Sequence, residues 1–425
     1  MFSEKIILQV LAEQKEEIRN FRTKRLVTRK EESLFDFDST QAQVVIGVRR
    51  SGKSTLCHKV LTERKVEYAY VNLDDDRLAN LQTEDLNTVL SCVYQLYGTD
   101  YKYLFLDEIQ DVDGWYLFVN RLLRTDLHIF VTGSNAKLLS GELATHLSGR
   151  YNEIKLFPFS FSEYCSFHNV DMTGITTKAD AERKRAFYNY INNGGFPEMQ
   201  NLRNKRGYVE SLIDAILTKD IKKRFKIRNV DALKKIAGHL ISNSCQEVNY
   251  DELSELFKLS DKTVQKYVSY LQQAFLIQLL TKHSFKSKER IRGDKSYIVD
   301  PGLQNNRANS MAAENIGWRL ENVVYIELLR RCASDFLDVY YYKQATTGKE
   351  VDFVVCDKNE ALELIQVSYD IDSKKAYDRE TSALVLASGL LKCNNLTLIA
   401  FSDTRNVTIN GKTIHIKSAI EWLLA

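Results

Sequence analysis

The chain has little of what marks several common protein classes. Only three prolines occur in 425 residues and there is no Gly/Ser-rich stretch, so no flexible linker announces itself between folded parts. No window approaches the ~18 consecutive apolar residues that span a bilayer. The N-terminal segment, with Glu13, Glu16 and Glu17 among its apolar positions, lacks the uncharged core of a signal peptide. Secretion and membrane insertion are therefore not expected. The seven cysteines are scattered without a C-x-x-C pair, which argues against a zinc site or a disulfide framework and for a reducing, cytoplasmic setting. Charge of one sign is lacking too. With 59 Lys+Arg against 56 Asp+Glu the formal charge is +3, so any case for nucleic acid must come from local clusters.

What is present is the balance of a folded soluble chain, 44% hydrophobic and 27% charged residues, in a length that implies two to four domains. After a leading helix and a basic connector (22–30), short apolar runs alternate with helical patterns, which predicts an α/β fold with a parallel sheet and crossover helices. The expected strands are 43–47, 68–73, 103–106, 128–132 and 153–156. Residues 160–239 read as mostly helical, broken by the turn Asn192-Asn193-Gly194-Gly195-Phe196-Pro197. From 318 an α/β pattern returns, with strands at 339–343, 351–355, 361–367 and 397–402. The expected division is a helix and connector (1–38), a nucleotide-binding core (39–159), a helical lid (160–240), a helix-turn-helix region (241–303) and a C-terminal α/β domain (304–425).

The segment Gly47-Val48-Arg49-Arg50-Ser51-Gly52-Lys53-Ser54 fits G-x-x-x-x-G-K-[ST], preceded by an apolar run and followed by a helical pattern. Glycines let the backbone wrap close enough for its N–H groups and the helix N-terminus to face phosphates. Lys53 would neutralise β- and γ-phosphate charge and Ser54 would ligate Mg²⁺. The nucleotide-binding set is then Gly47, Arg50, Ser51, Gly52, Lys53, Ser54 and Thr55, with ATP and Mg²⁺ as the expected cofactors. Arg49 and Arg50 have no firm mechanism beyond added positive charge. A second strand ends in Asp107 and Glu108, an arrangement that puts the first acid on the Mg²⁺ shell and leaves the second to polarise a water. The alternative for this pair is helix capping. The run 128–131 leads into Thr132-Gly133-Ser134-Asn135, where Ser134 and Asn135 are candidate γ-phosphate sensors. Arg150, on the turn Ser148-Gly149-Arg150, is a candidate arginine finger acting in trans, which would require a dimer or ring; a surface Arg paired with an acid is the alternative.

Together with Gly194-Gly195-Phe196-Pro197-Glu198, these motifs resemble a bacterial and archaeal family described as predicted AAA+ superfamily ATPases with a C-terminal domain of unknown function, DUF4143. The resemblance covers nearly the whole chain. It implies a five-stranded P-loop sheet of the additional-strand type, with a strand inserted between the two nucleotide motifs, and ATP rather than GTP as substrate.

Residues 251–258 and 262–275 read as two helices around the turn Leu259-Ser260-Asp261, with Ser260 as an N-cap, and the segments after them are basic: Lys282, His283, Lys286, Lys288, Arg290, Arg292 and Lys295. This predicts a winged helix-turn-helix, read either as a reader of double-stranded DNA or as a protein-packing module. In the C-terminal domain, Glu321, Asp352 and Gln366 are spaced as in a restriction-endonuclease-like core, where such residues hold a divalent metal. Ser368 stands where that core carries Lys. Lys349, three residues before Asp352, is a candidate replacement. The expectation is a nuclease-like fold kept for binding, with an active, ATP-controlled nuclease and a nucleotide-gated protein scaffold as alternatives.

Overall fold

A computed structural model describes residues 2–21, 26–134, 147, 149–284, 293–305 and 316–425. The chain forms two compact units: Met1–Leu156 together with Gln273–Phe275, and Phe157–Gln272 together with Leu276–Ala425. Among the described residues no helix is long and apolar enough to cross a membrane. All seven cysteines are buried free thiols.

In the first unit, helix α1 (Glu4–Phe21) precedes β1 (Ala42–Ile46), α2 (Lys53–Glu63), β2 (Tyr68–Asn72), α3 (Leu86–Tyr97), β3 (Tyr103–Asp107), α4 (Trp115–Leu122), β4 (His128–Gly133) and β5 (Tyr151–Lys155). The five strands make one parallel sheet in the order β2-β3-β4-β1-β5. β4 thus lies between the strand leading to the phosphate loop and the strand ending in two acids. Helices cover both faces of such a sheet, so its strands are apolar throughout rather than alternating; β1 is buried at every position. One face packs Val45, Phe105, Phe130 and Ile154 against Leu56 and Cys57 of α2, with Phe35 stacked on Phe130. α1 belongs to this unit: the Gln14 side chain exchanges two 2.9 Å hydrogen bonds with the Asn72 backbone, and Lys15 donates to the Leu96 carbonyl at 2.6 Å.

The second unit opens with α5 (Phe161–Phe167), α6 (Thr177–Asn193) and α7 (Lys205–Ala215), the last running into a π-helical stretch, Ile216–Lys222. Next come α8 (Val230–Ser242), β6 (Gln246–Glu247), α9 (Tyr250–Phe257), α10 (Asp261–Gln273), β7 (Ile277–Leu280) and β8 (Lys295–Ile298). These strands form a small antiparallel sheet ordered β6-β8-β7. Ser260 accepts the Thr263 N–H at 3.3 Å, as a capping residue should. The charges expected to lie in a wing are only partly visible, since Lys286, Lys288, Arg290 and Arg292 fall outside the described residues.

The chain ends with α11 (Ile316–Asp335), β9 (Asp338–Lys343), β10 (Glu350–Asp357), β11 (Glu360–Ser368), α12 (Lys374–Leu391), β12 (Leu396–Ala400), β13 (Arg405–Ile409), β14 (Lys412–Ser418) and α13 (Ala419–Leu424). The mixed sheet runs β13-β14-β12-β11-β10-β9, and its face toward α12 packs Val354, Leu364 and Leu398 with Leu384 of that helix. Asn322 of α11 ties this domain to β8, accepting the Ile298 N–H at 2.9 Å and donating to the Ile298 carbonyl at 2.8 Å.

The Gly194-Gly195 turn closes around a buried carboxylate. Asp300 accepts the N–H groups of Gly195 at 2.6 Å and Gly302 at 2.8 Å, and a Cβ on Gly194, whose φ is +74°, would fall 1.7 Å from Asp300 Oδ1. Burial pushes the Asp300 carboxyl up to about 7 from an ordinary 3.8, against the opposing pull of the two N–H donors and Arg330. The folded chain therefore holds this proton to a higher pH than the unfolded chain does. The stability Asp300 contributes is full below 3.8 and lost as pH rises through about 7. We expect the difference in melting temperature, wild type minus Asp300→Asn, to shrink as pH is raised across that window. A constant difference would contradict the assignment.

Candidate functional site

β1 ends at Ile46, and the backbone then turns with Gly47 at φ +154°, Arg50 at φ 69° and Gly52 at φ 100° before α2 starts at Lys53. At Gly47 a Cβ would lie 2.1 Å from the Leu156 carbonyl oxygen, so only glycine fits there. The loop is held from outside by Arg29, which donates to the Ser51 carbonyl at 3.3 Å. Inside it, Ser51 Oγ is fully buried and, among the described residues, has no hydrogen-bond partner. Lys53 Nζ reaches across the loop to the Val48 carbonyl at 3.2 Å. Arg49 lies 4.0 Å from Asp74, and Thr55 follows Ser54 in the first turn of α2.

Asp107, at the end of β3, is the centre of the site. Its Oδ1 accepts hydrogens from Ser54 Oγ at 2.9 Å and from the Thr132 hydroxyl, and its Oδ2 accepts from Tyr70 OH at 3.0 Å. Burial and the neighbouring Glu108 push its carboxyl up to about 6, while the three hydroxyl donors hold it down. Ser54, having committed its hydrogen to Asp107, keeps its lone pairs for a cation. This donor set fits Mg²⁺: one hydroxyl ligand on the loop and a buried carboxylate behind it.

Glu108 takes the left-handed conformation, φ 53°, uncommon for a residue with a side chain. Its N–H donates to Thr132 Oγ1 at 3.2 Å, and its carboxylate accepts from the Gln110 amide and from the Ser134 N–H at 3.3 Å. The second acid is thereby turned away from the first and held at the carboxyl edge of β4. Ser134 is thus in contact with Glu108, whereas Asn135 lies outside the described residues. Arg150 sits elsewhere. Its carbonyl accepts the Ala42 N–H and its guanidinium donates to Asn120 at 3.0 Å. Ala42 opens β1, and the phosphate loop leaves the other end; at ~3.3 Å per residue the two are about 15 Å apart. Arg150 therefore stands apart from the phosphate loop of its own chain. Tyr70, Thr132 and Arg29 were not singled out from the sequence. The Thr in Thr-Gly-Ser-Asn was a usable signal; Tyr70 and Arg29 join through tertiary contact alone.

A second constellation occupies the C-terminal domain. Glu321 of α11, Asp352 of β10 and Gln366 of β11 line one cavity of about 680 Å³, with Lys349, Glu350, Ser368, Arg379 and Glu380. Asp352 accepts the Val367 N–H at 2.8 Å, and Gln366 donates to Glu380 at 2.8 Å. The unforeseen member is Lys295 of β8, almost wholly buried, 3.6 Å from Glu321 and paired with Glu350. Tyr297, two residues on, donates to Glu321 at 2.7 Å. Burial raises both carboxyls: Asp352 well above its usual range, with Glu321 adding to the effect, and Glu321 less so; Lys295 opposes both. A buried cation therefore stands among these acids, brought by a strand of the preceding sheet. Among the described residues no group of three or more His, Cys, Asp or Glu is arranged to hold a metal ion.

Compared with known proteins, the chain matches the AAA domain over residues 39–165, a domain of unknown function (DUF8612) over 184–314 and a second (DUF4143) over 317–415. An uncharacterized protein of Methanocaldococcus jannaschii is 33% identical over 394 residues, covering 89% of this chain and 87% of that one. The chain belongs to the family of AAA-type ATPases with a C-terminal DUF4143 domain. Another uncharacterized protein, from Haemophilus influenzae, is 33% identical over 420 residues, covering 92% of the family member described here and 97% of the relative. Among solved structures, the Thermotoga maritima RuvB Holliday junction branch migration motor aligns with 61% of the chain and 92% of its own length, at 18% identity and a TM-score of 0.30. CDC6P from Pyrobaculum aerophilum aligns with 67% of the chain and 88% of its own length, at 12% identity and 0.27. Scores this low support no conclusion about this ATPase-family chain.

Proposed function

We propose that the chain is a Mg²⁺-dependent ATPase whose nucleotide state sets how a winged-helix and nuclease-like module engages double-stranded DNA. The observation that carries the ATPase reading is Asp107, bonded at once to Ser54 of the phosphate loop and to Thr132 at the edge of β4. Bound Mg²⁺ would offset the triphosphate charge. Lys53 would leave the Val48 carbonyl for the phosphates, the Ser51 hydroxyl would gain an acceptor, and Glu108 would orient the attacking water. Asn135 is kept as a sensor candidate and Arg150 as a finger in trans, which would make a second copy of the chain a partner. ATP rather than GTP rests on the family.

The order helix, short strand, helix, helix, hairpin from α8 to β8 supports the winged-helix reading. In the C-terminal cavity the Lys295 pairs favour a nuclease-like fold retained for binding over an active nuclease. The test of coupling is duplex DNA affinity measured with a non-hydrolysable ATP analogue and with ADP, both with Mg²⁺. We expect the two to differ by about 5- to 150-fold, the usual range for coupled sites. Equal affinities would sink the switch and leave a nucleotide-binding scaffold.

A further inference from the structure

Between α7 and α8 the sequence becomes strongly basic. Residues 219–228 hold six cations, Lys219, Lys222, Lys223, Arg224, Lys226 and Arg228, against one carboxylate, Asp220. The apolar positions Ile216, Leu217, Ile221 and Ile227 are buried and so is Asp220, which leaves Lys219, Lys222, Lys223, Lys226 and Arg228 exposed. The helix is of π type over Ile216–Lys222 and stops at Lys226, whose φ is 49°. Such wide turns recur at functional sites.

A charge run is ordinarily a solvated face balanced by acids. That is the case elsewhere in this unit, where Lys184 pairs with Asp180, Arg206 with Glu210 and Lys234 with Asp214. Among the described residues, no carboxylate lies within ion-pair distance of Lys222, Lys223, Lys226 or Arg228. Four exposed cations left without an ion pair beside paired ones call for an anionic partner with repeated charge.

Its location says which one. Phe225 stacks on Tyr270 of α10, ring centroids 3.8 Å apart and 11° from parallel, and Tyr267 of α10 donates to the Asn229 carbonyl at 3.3 Å. The basic segment is thereby fastened alongside the second helix of the helix-turn-helix, whose own exposed side chains include Lys262, Gln265 and Lys266. In groove-reading proteins backbone contacts set register and supply affinity while the helix meets base edges. Two lysines on α10 are few for that work; Lys222, Lys223, Lys226 and Arg228 beside it add four more exposed cations.

We propose that residues 219–228 bind the phosphate backbone of duplex DNA and hold α10 against it. This rests on the reading of the second unit as a DNA-engaging module. The test compares the full-length wild type with a Lys222→Ala/Lys223→Ala/Lys226→Ala variant, by fluorescence anisotropy of a labelled random-sequence duplex between about 50 and 200 mM salt. Each lost phosphate contact removes about 0.9 from the slope of log affinity on log salt, so the slope should fall by about 2 to 3 and affinity by at least ~10-fold. A second variant with Gln at the same positions guards against a folding defect and should behave alike. Lys178→Ala/Lys184→Ala on α6 should change neither quantity. Unchanged affinity and slope in both triple variants, with wild type binding well, overturn the proposal alone. Loss of single-stranded RNA binding with duplex binding retained also overturns it. A wild type that binds no duplex at low salt sinks both this proposal and the DNA reading beneath it.

Discussion

Glu108→Gln is expected to leave ATP bound and to lower its hydrolysis by about 10²- to 10⁴-fold, the usual worth of a positioned base. Lys53→Ala should instead lose the nucleotide itself. The two differ because their positions differ. Lys53 is buried in the loop that would surround the phosphates, and its ammonium reaches the Val48 carbonyl there. Glu108 stands off at the edge of β4, held by Gln110 and the Ser134 N–H, where it can act on a water without contributing to the loop. Gln fills the same volume and keeps a hydrogen-bonding oxygen, so binding should persist. Binding of a fluorescent ATP analogue and phosphate release, measured on the same preparations, separate the two effects. Full turnover in Glu108→Gln would remove Glu108 from the chemistry and shift attention to Asp107.

The second large effect is expected at Lys295. Its ammonium faces Glu321 and Glu350 with Asp352 close behind, and only 5% of the side chain is exposed. Lys295→Met keeps the volume and deletes the charge, leaving Glu321 and Glu350 without their buried counter-ion. Breaking a buried pair in this way costs about 3–5 kcal/mol. We expect the denaturation midpoint to fall accordingly and Glu321→Gln, added to Lys295→Met, to recover part of the loss, because the unpaired charge is then gone. A Lys295→Met midpoint within about 1 kcal/mol of wild type would mean that the acids already carry protons or take up water. The cavity would then be no ion-paired site.

How legible these sites were in the sequence depends on how local their parts are. The phosphate loop and its flanking strand and helix are one continuous segment, and the strand ending in Asp107 and Glu108 carries its own apolar pattern, so both could be read directly. That β4 inserts between them followed from family resemblance, since strand order is a property of packing and leaves no local mark. Tyr70 and Lys295 were not legible as site residues. Tyr70 sits in a strand like its neighbours, and Lys295 is one of a series of wing cations in sequence, distinguished only by the pairing of β8 with α11 through Glu321. The hairpin β13–β14 is absent from the strands expected above, although its turn, Asn410-Gly411 between alternating segments, is a strong hairpin signal. For Asn135 and most of the wing, placement lies outside the described residues.

The most direct test of the account is steady-state ATP hydrolysis by the wild-type chain with Mg²⁺, with and without duplex DNA, checking the DNA for cleavage in the same reactions. Turnover is expected to rise with duplex, and the DNA to stay intact. Turnover indifferent to DNA, or DNA cut by wild type and spared by Asp352→Ala, would contradict it.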